Sequence, residues 1–285
     1  MPIIIEYTKN DDKYIILIND KISNANELEM KSLLDNKLFE CKTDDEIRKK
    51  LINLQLGIKP KVIIHNSYYK YEGQVVNGKR NGFGKAVYTY GDIYEGEWKN
   101  GKRHGKGKMT YANGDKYEGG FKTGNKHGEG VMTYANGNIY EGSWSMGEPS
   151  GEGVMTYANG NKYDGEWGFD KKEGKGIMTY ANGDKYDGKW KDNEKHGKGK
   201  MIYVNDDKYD GEWGFDKKEG KGIMTYANGD KYDGKWKDDK KHGQGKLTLA
   251  KPDDKGYIVY IGNWENDNMK GEFTCYKTKP DAITF

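Results

Sequence analysis

Residues Tyr94 to Lys116 read YEGEWKNGKRHGKGKMTYANGDK, and the pattern returns every 23 residues. Tyrosine opens it at Tyr71, Tyr94, Tyr117, Tyr140, Tyr163, Tyr186, Tyr209 and Tyr232. Four residues on stand Trp98, Phe121, Trp144, Trp167, Trp190, Trp213 and Trp236, with Val75 in the first copy. A partial ninth copy opens at Tyr260 and supplies Trp264, so all seven tryptophans share one column. A fixed period over most of a chain specifies stacked copies of one small unit rather than a globular enzyme core.

Within the unit, Tyr94-Glu95-Gly96-Glu97-Trp98 alternates, with Tyr, Gly and Trp on one face and both glutamates on the other. Such alternation predicts a strand with one packed face. Gly105 to Tyr111 alternates too, placing Gly105, Gly107, Met109 and Tyr111 together. Lys99 to His104 reads as a polar loop between the two strands. Ala112-Asn113-Gly114-Asp115 reads as a type I′ hairpin turn, since Asn-Gly tolerates positive φ at both central positions. Each turn leads into the next unit, so the expected fold is an elongated, open, twisted antiparallel meander of about eight β-hairpin repeats. Strands lie about 4.8 Å apart, which predicts a ribbon roughly 75–80 Å long.

A hairpin this short buries no ordinary core. Glycine opposite an indole provides a bare shelf for the ring, and Tyr94, Trp98, Tyr140, Trp144, Tyr163, Trp167, Trp190, Trp213, Trp236 and Trp264 are the expected structural aromatic ladder. Met109, Met132, Met155, Met178, Met201 and Met224 form a rung beside it. Residues 162–192 recur identically as 208–238, and in these copies the loop becomes Gly-Phe-Asp-Lys-Lys-Glu. Phe169 and Phe215 are therefore expected at partly exposed loop positions.

Composition bounds the rest. Mean hydropathy is −1.08, yet aromatic residues make up 13% of the chain and fall in register, which opposes disorder. The 48 basic and 45 acidic residues leave a net charge of only +3, little for a duplex-DNA reader. Cys41 and Cys275 stand too far apart in sequence for a disulfide framework or zinc pattern, which favours a reduced, intracellular setting. No apolar run approaches the roughly 20 residues of a membrane helix, and the polar N-terminus is no signal peptide.

Residues 1–69 escape the period and are expected to form a small α/β domain ahead of the repeats at 70–250. Pro2 to Tyr7, Lys13 to Ile18 and Val62 to Ile64 read as strands. Asn24-x-x-Glu27 and Thr43-x-x-Glu46 have the capping-box form ahead of two amphipathic helices. This domain also covers the first edge of the ribbon. Residues 251–285 hold an insertion with Pro252, the last partial repeat and a C-terminal cap.

Tyr-Glu/Asp-Gly-x-Trp, then Gly-x-Gly and an Asn-Gly turn, every 23 residues over 71–276, resembles the MORN (membrane occupation and recognition nexus) repeat. The resemblance implies a scaffold that binds proteins or itself, in some members at membranes through acidic phospholipid. The expected partners are accordingly a protein, a second copy of the chain, or an anionic membrane surface, and not nucleic acid. The expected setting is intracellular, soluble or peripherally attached to a membrane or larger assembly.

Other motifs reduce to structure. His104, His127, His196 and His242 form a column with about 10 Å between neighbouring copies, too far to share a zinc ion bound at about 2.1 Å. The acidic column at Glu95, Glu118, Glu141, Asp164, Asp187, Asp210 and Asp233 is a ladder, not a catalytic pair. Gly-Lys-Gly-Lys at 105–108 lacks the rest of a phosphate loop. No catalytic, metal or cofactor site is expected. The candidate lipid or partner contacts are the basic positions Lys79, Arg80, Lys99, Lys102, Arg103, Lys106 and Lys108.

Overall fold

In a computed structural model of the chain, residues 3–9, 12–18, 61–76 and 78–277 are described. All regular structure among them is β-strand. The two helices expected after Asn24 and Thr43 lie outside the described residues. The chain divides into two compact units: one comprises residues up to Asn136 with Trp144–Gly147, and the other Gly137–Ser143 with everything from Glu148 onward.

In the first unit, β1 (Ile3–Lys9), β2 (Asp12–Ile18), β3 (Lys61–His65), β4 (Tyr69–Val76), β5 (Lys79–Tyr88), β6 (Ile93–Lys99), β7 (Lys102–Thr110), β8 (Lys116–Lys122) and β9 (Asn125–Thr133) follow one another. Each pairs antiparallel with the next. The three strands expected before the repeats are present, and β3 pairs with β4, the first repeat strand.

After β10 (Ile139–Ser145) come β11 (Glu148–Thr156), β12 (Lys162–Gly168), β13 (Lys171–Thr179), β14 (Lys185–Lys191), β15 (Glu194–Ile202) and β16 (Lys208–Gly214). They are followed by β17 (Lys217–Thr225), β18 (Lys231–Lys237), β19 (Lys240–Thr248), β20 (Val259–Glu265) and β21 (Asn268–Tyr276). From β11 to β21 the pairing is again a consecutive antiparallel meander. The insertion before β20 folds around Asp253, whose carboxylate accepts the Lys255 and Tyr257 N–H groups and the Tyr260 hydroxyl.

The two connections of each repeat are the reverse of the sequence expectation. The stretch read as a polar loop, Lys99 to His104, is strand except for Asn100 and Gly101, whose φ values are 51° and 81°. Positive φ at both central positions is the type I′ signature. It recurs at Phe169-Asp170 (48°, 65°) and Phe215-Asp216 (51°, 65°). The Asn-Gly stretch is instead a five-residue loop. Tyr111 donates its N–H to the Asp115 carbonyl, Gly114 donates to the Tyr111 carbonyl, and of these loop residues only Gly114 has positive φ. The asparagine serves another purpose: Asn113 Oδ1 accepts the Asp115 N–H, and Asp115 Oδ1 accepts the Ala135 N–H of the following loop.

The shelf is also occupied by a different ring. A Cβ on Gly176 would overlap the ring of Tyr163, the phenol and not the indole. Beyond the glycine pair Gly165↔Gly176 the register shifts, so the strand bends there before Trp167 pairs with Lys172. Bending and a missing side chain together let the phenol lie against backbone while its hydroxyl donates to the Glu166 carbonyl at 2.9 Å. Tyr163 is 0% exposed, although the sheet has no second layer among the described residues.

Gly176→Val is expected to displace Tyr163 and to cost about 2–4 kcal/mol, whereas Lys175→Ala, at an exposed position, stays within about 0.5 kcal/mol of the parent. Chemical denaturation of the two variants measures the difference. Equal midpoints would contradict the phenol shelf.

Candidate binding surfaces

The Tyr–Trp face of each sheet is an edge-to-face lattice. Tyr163 meets Trp167 of its own repeat at 5.1 Å and 87°, and Trp190 of the next repeat at 5.3 Å and 83°. The same zigzag runs Tyr71–Trp98–Tyr94–Phe121 in the first unit and continues to Tyr232–Trp264 in the second. Each indole reaches one repeat back with its N–H. Trp98 donates to the Gly84 carbonyl at 3.0 Å, Trp190 to Gly176 at 3.0 Å and Trp264 to Gly245 at 3.3 Å. Tyr94, Trp98, Tyr140, Trp144, Tyr163, Trp167, Trp190, Trp213, Trp236 and Trp264 are all at most 6% exposed, so they occupy the interior.

Over this lattice lies a row of cations that the sequence reading had left in the loop. The Arg80 guanidinium sits 4.0 Å above the Trp98 ring, and Lys126 sits 3.9 Å above Trp144. In the second unit Lys172, Lys195, Lys218 and Lys241 cover Trp190, Trp213, Trp236 and Trp264 at 4.4, 4.5, 4.6 and 4.9 Å. Such contacts add about 0.5–2 kcal/mol each. Burial pushes these four lysines below the usual lysine value, against the pull of carboxylates such as Asp216 and Asp267. The turns complete the row: Asp216 and Asp239 accept the backbone N–H of Lys195 and Lys218 at 2.9 Å. Where the turn carries glycine, arginine bonds its carbonyl instead, Arg80 to Gly101 at 2.9 Å and Arg103 to Gly124 at 2.9 and 3.2 Å.

The basic candidates therefore separate. Arg80 and Arg103 are half-buried clamps between repeats. Lys79, Lys99 and Lys102 stand exposed beside the type I′ turns, and Lys106 and Lys108 stand exposed on the opposite face of the sheet. Lys108 there meets Glu118 at 3.0 Å. That face alternates in sign, with Lys85–Glu95 at 3.9 Å and Lys200–Asp210 at 3.1 Å. The histidine column lies at the edge of the glycine bend, with His127 and His196 exposed. No cluster of metal-binding side chains occurs among the described residues.

Apolar side chains also reach solvent at turn tips. Phe169 is 68% and Phe215 77% exposed, each as the first residue of its turn.

The fold thus defines a β-hairpin repeat protein, with neighbouring units riveted by aromatic side chains, and repeat arrays of this kind serve as scaffolds or binding surfaces. The MORN repeat family matches at residues 71–92, 94–116, 117–139, 140–162, 163–185, 186–208, 209–231, 232–251 and 260–275, and the chain belongs to that family. No curated protein sequence gives a significant match. Among solved structures, the chain is similar to the wild-type TCP10 domain of Danio rerio CPAP in complex with a peptide of Danio rerio STIL. That likeness has 10% identity and a TM-score of 0.44, and covers 76% of this chain and 94% of that one. A streptogramin B lyase structure matches at 10% identity over 76% and 67% of the respective chains, with a TM-score of 0.16. At these scores neither likeness bears on function. No helix among the described residues is long and apolar enough to cross a membrane.

Burial holds the lattice phenols above the ordinary tyrosine value of 10.0 and pushes Tyr180 and Tyr203 up to about 12. Above pH 10 the unfolded chain releases phenolic protons that the folded chain retains, so stability falls as pH rises from 10. The four covered lysines act oppositely below 10.5, but the phenols outnumber them. In an alkaline titration, phenolate absorbance from these residues is expected to appear together with loss of the sheet circular dichroism. Full ionisation near pH 10 with the sheet intact would refute the buried lattice.

Proposed function

We propose that this chain is a non-enzymatic scaffold whose repeats present apolar turn tips to a protein partner. The observation that carries this reading is the pair Phe169 and Phe215. Type I′ turns favour Asn and Gly, and a phenylalanine at φ near 50° costs about 1–3 kcal/mol in local strain. Both rings are exposed, so neither recovers that cost by burial within the chain. Strain and exposed apolar area at corresponding turns of the duplicated segment fit an anchor that becomes buried on binding. The charges beside them nearly cancel: Lys171 meets Asp192 at 2.6 Å and Lys217 meets Asp238 at 2.7 Å. A neutral rim around an aromatic anchor suits a protein surface better than an anionic membrane. Phe169→Asn with Phe215→Asn is expected to raise the melting temperature while abolishing capture of the partner that the full native chain retains from cell extract. Undiminished capture by the double variant would overturn the reading.

A second reading, peripheral attachment to anionic membrane, is favoured by a different edge. In the first unit Lys79, Lys99, Lys102 and Lys122 stand exposed beside successive turns and make no ion pair among the described residues. Cations near an anionic surface gain about 1 kcal/mol each. On this reading the full chain co-sediments with phosphatidylserine vesicles at low salt, and Lys99→Ala with Lys102→Ala weakens binding about tenfold. Sedimentation that is absent, or indifferent to salt and to those substitutions, would remove the reading.

A further inference from the structure

The outer face of the second unit carries a feature that neither reading uses. Lys221 on β17 lies directly opposite Lys235 on β18. Like charges in direct cross-strand register repel. Beside them is a cavity of about 340 Å³ with walls of Lys221, Lys235, Lys246, Asp233, Gln244 and Ile261, and with Gly234 and Gly245 also lining it.

The column that contains Lys235 explains the site. In other repeats this position fills the bend at the glycines. Glu97 Oε1 accepts the Lys106 N–H at 2.9 Å, and Glu166 Oε1 accepts the Lys175 N–H at 2.9 Å. Gln74 Oε1 accepts the Phe83 N–H in the same way at 3.3 Å. The equivalent backbone group near Lys235 is the Gln244 N–H, twelve residues after Tyr232 as Lys175 is after Tyr163. An ammonium is a donor only. An oxyanion acceptor has thus been replaced by a cation at a bend that elsewhere holds an acceptor. Two further lysines line the same cavity, with Asp233 as the single opposing carboxylate.

We propose that this cavity binds a multiply charged phosphate ligand, one of whose oxygens takes the place of the missing carboxylate at Gln244 N–H. Lys221, Lys235 and Lys246 neutralise its charge through charge-assisted hydrogen bonds. The volume corresponds to roughly eleven water molecules at liquid density, room for more than one phosphoryl group. The duplicated segment repeats the arrangement: Lys189 lies opposite Lys175, with Lys198 and Lys200 in the positions of Gln244 and Lys246. The ligand chemistry is shared by a free polyphosphate and by the phosphorylated headgroup of a lipid.

The test uses the full chain in titration calorimetry with tripolyphosphate, and in sedimentation with phosphatidylcholine vesicles with and without phosphatidylinositol bisphosphate. Lys189→Glu with Lys235→Glu installs the residue found at Glu97 and Glu166, so the variant is expected to keep or raise its melting temperature. Its affinity for tripolyphosphate should fall about tenfold or more. Lys99→Glu with Lys102→Glu makes the same charge change elsewhere and should leave that affinity within about twofold. Loss of tripolyphosphate binding alone identifies a free ligand, and a parallel loss of vesicle binding identifies a headgroup; both support the site. The proposal is overturned if the native chain binds neither probe below millimolar concentration, if Lys189→Glu/Lys235→Glu binds like the native chain, or if the control pair weakens binding equally.

Discussion

The phenol of each opening tyrosine rests on backbone stripped of side chains and is gripped at its edges by two indoles, one from its own repeat and one from the next. Tyr186 shows the arrangement: Gly188 and Gly199 leave room for the ring, Trp190 and Trp213 stand at 5.2 and 5.3 Å, and the hydroxyl donates to the Lys189 carbonyl. Three demands meet at one side chain. The glycines must be bare, the strand must bend at them, and the following repeat must deliver an indole at the right height. The indole N–H then fixes that height by bonding to the glycine carbonyl behind it. A sheet of short hairpins thereby buries its aromatic residues almost completely without a second layer.

Positions around this lattice divide by how much freedom it leaves them. The cation over the indole varies between arginine and lysine, and each choice is matched across the turn. Arginine reaches a glycine carbonyl, whereas lysine leaves room for an Asp or Asn carbonyl oxygen to bond its backbone N–H. Pro149 occupies this column in one repeat and is buried there without any charge. The outer face, free of the lattice, is where charge is redistributed between repeats.

Much of this was legible in the sequence, because a period of 23 fixes which residues share a column and alternation fixes which share a face. Strand identity, the meander, the glycine shelf and the membership of the aromatic ladder all follow from those two facts. The turns were misassigned for a physical reason. Asn-Gly is the strongest short-range hairpin signal, but Asn113 uses its side chain to bond within its own loop, and only Gly114 needs the left-handed conformation. The true type I′ turns hide behind Phe-Asp, Asp-Asn and Asp-Asp pairs whose φ values no propensity rule favours. The cation row was a visible column, Arg80, Arg103, Lys126, Lys172, Lys195, Lys218 and Lys241. Its role was hidden because it meets the indole 18 residues further on, in the next repeat, a relation that spacing alone does not reveal. The change from glutamate to lysine at Lys189 and Lys235 was likewise visible, and only the hydrogen bonds made by Glu97 and Glu166 give it meaning.

The backward bond of each indole has a bearing on how such a chain grows. Every repeat needs only a glycine carbonyl behind it and offers the same to the repeat ahead, so the joint between any two is interchangeable. A segment of two whole repeats can be copied in tandem, as residues 162–192 and 208–238 record, and the new junctions meet partners they already fit. A copied segment one residue longer would turn every later tyrosine to the solvent side. Length in this lineage is therefore free to drift in quanta of twenty-three residues, while any other increment is closed to it.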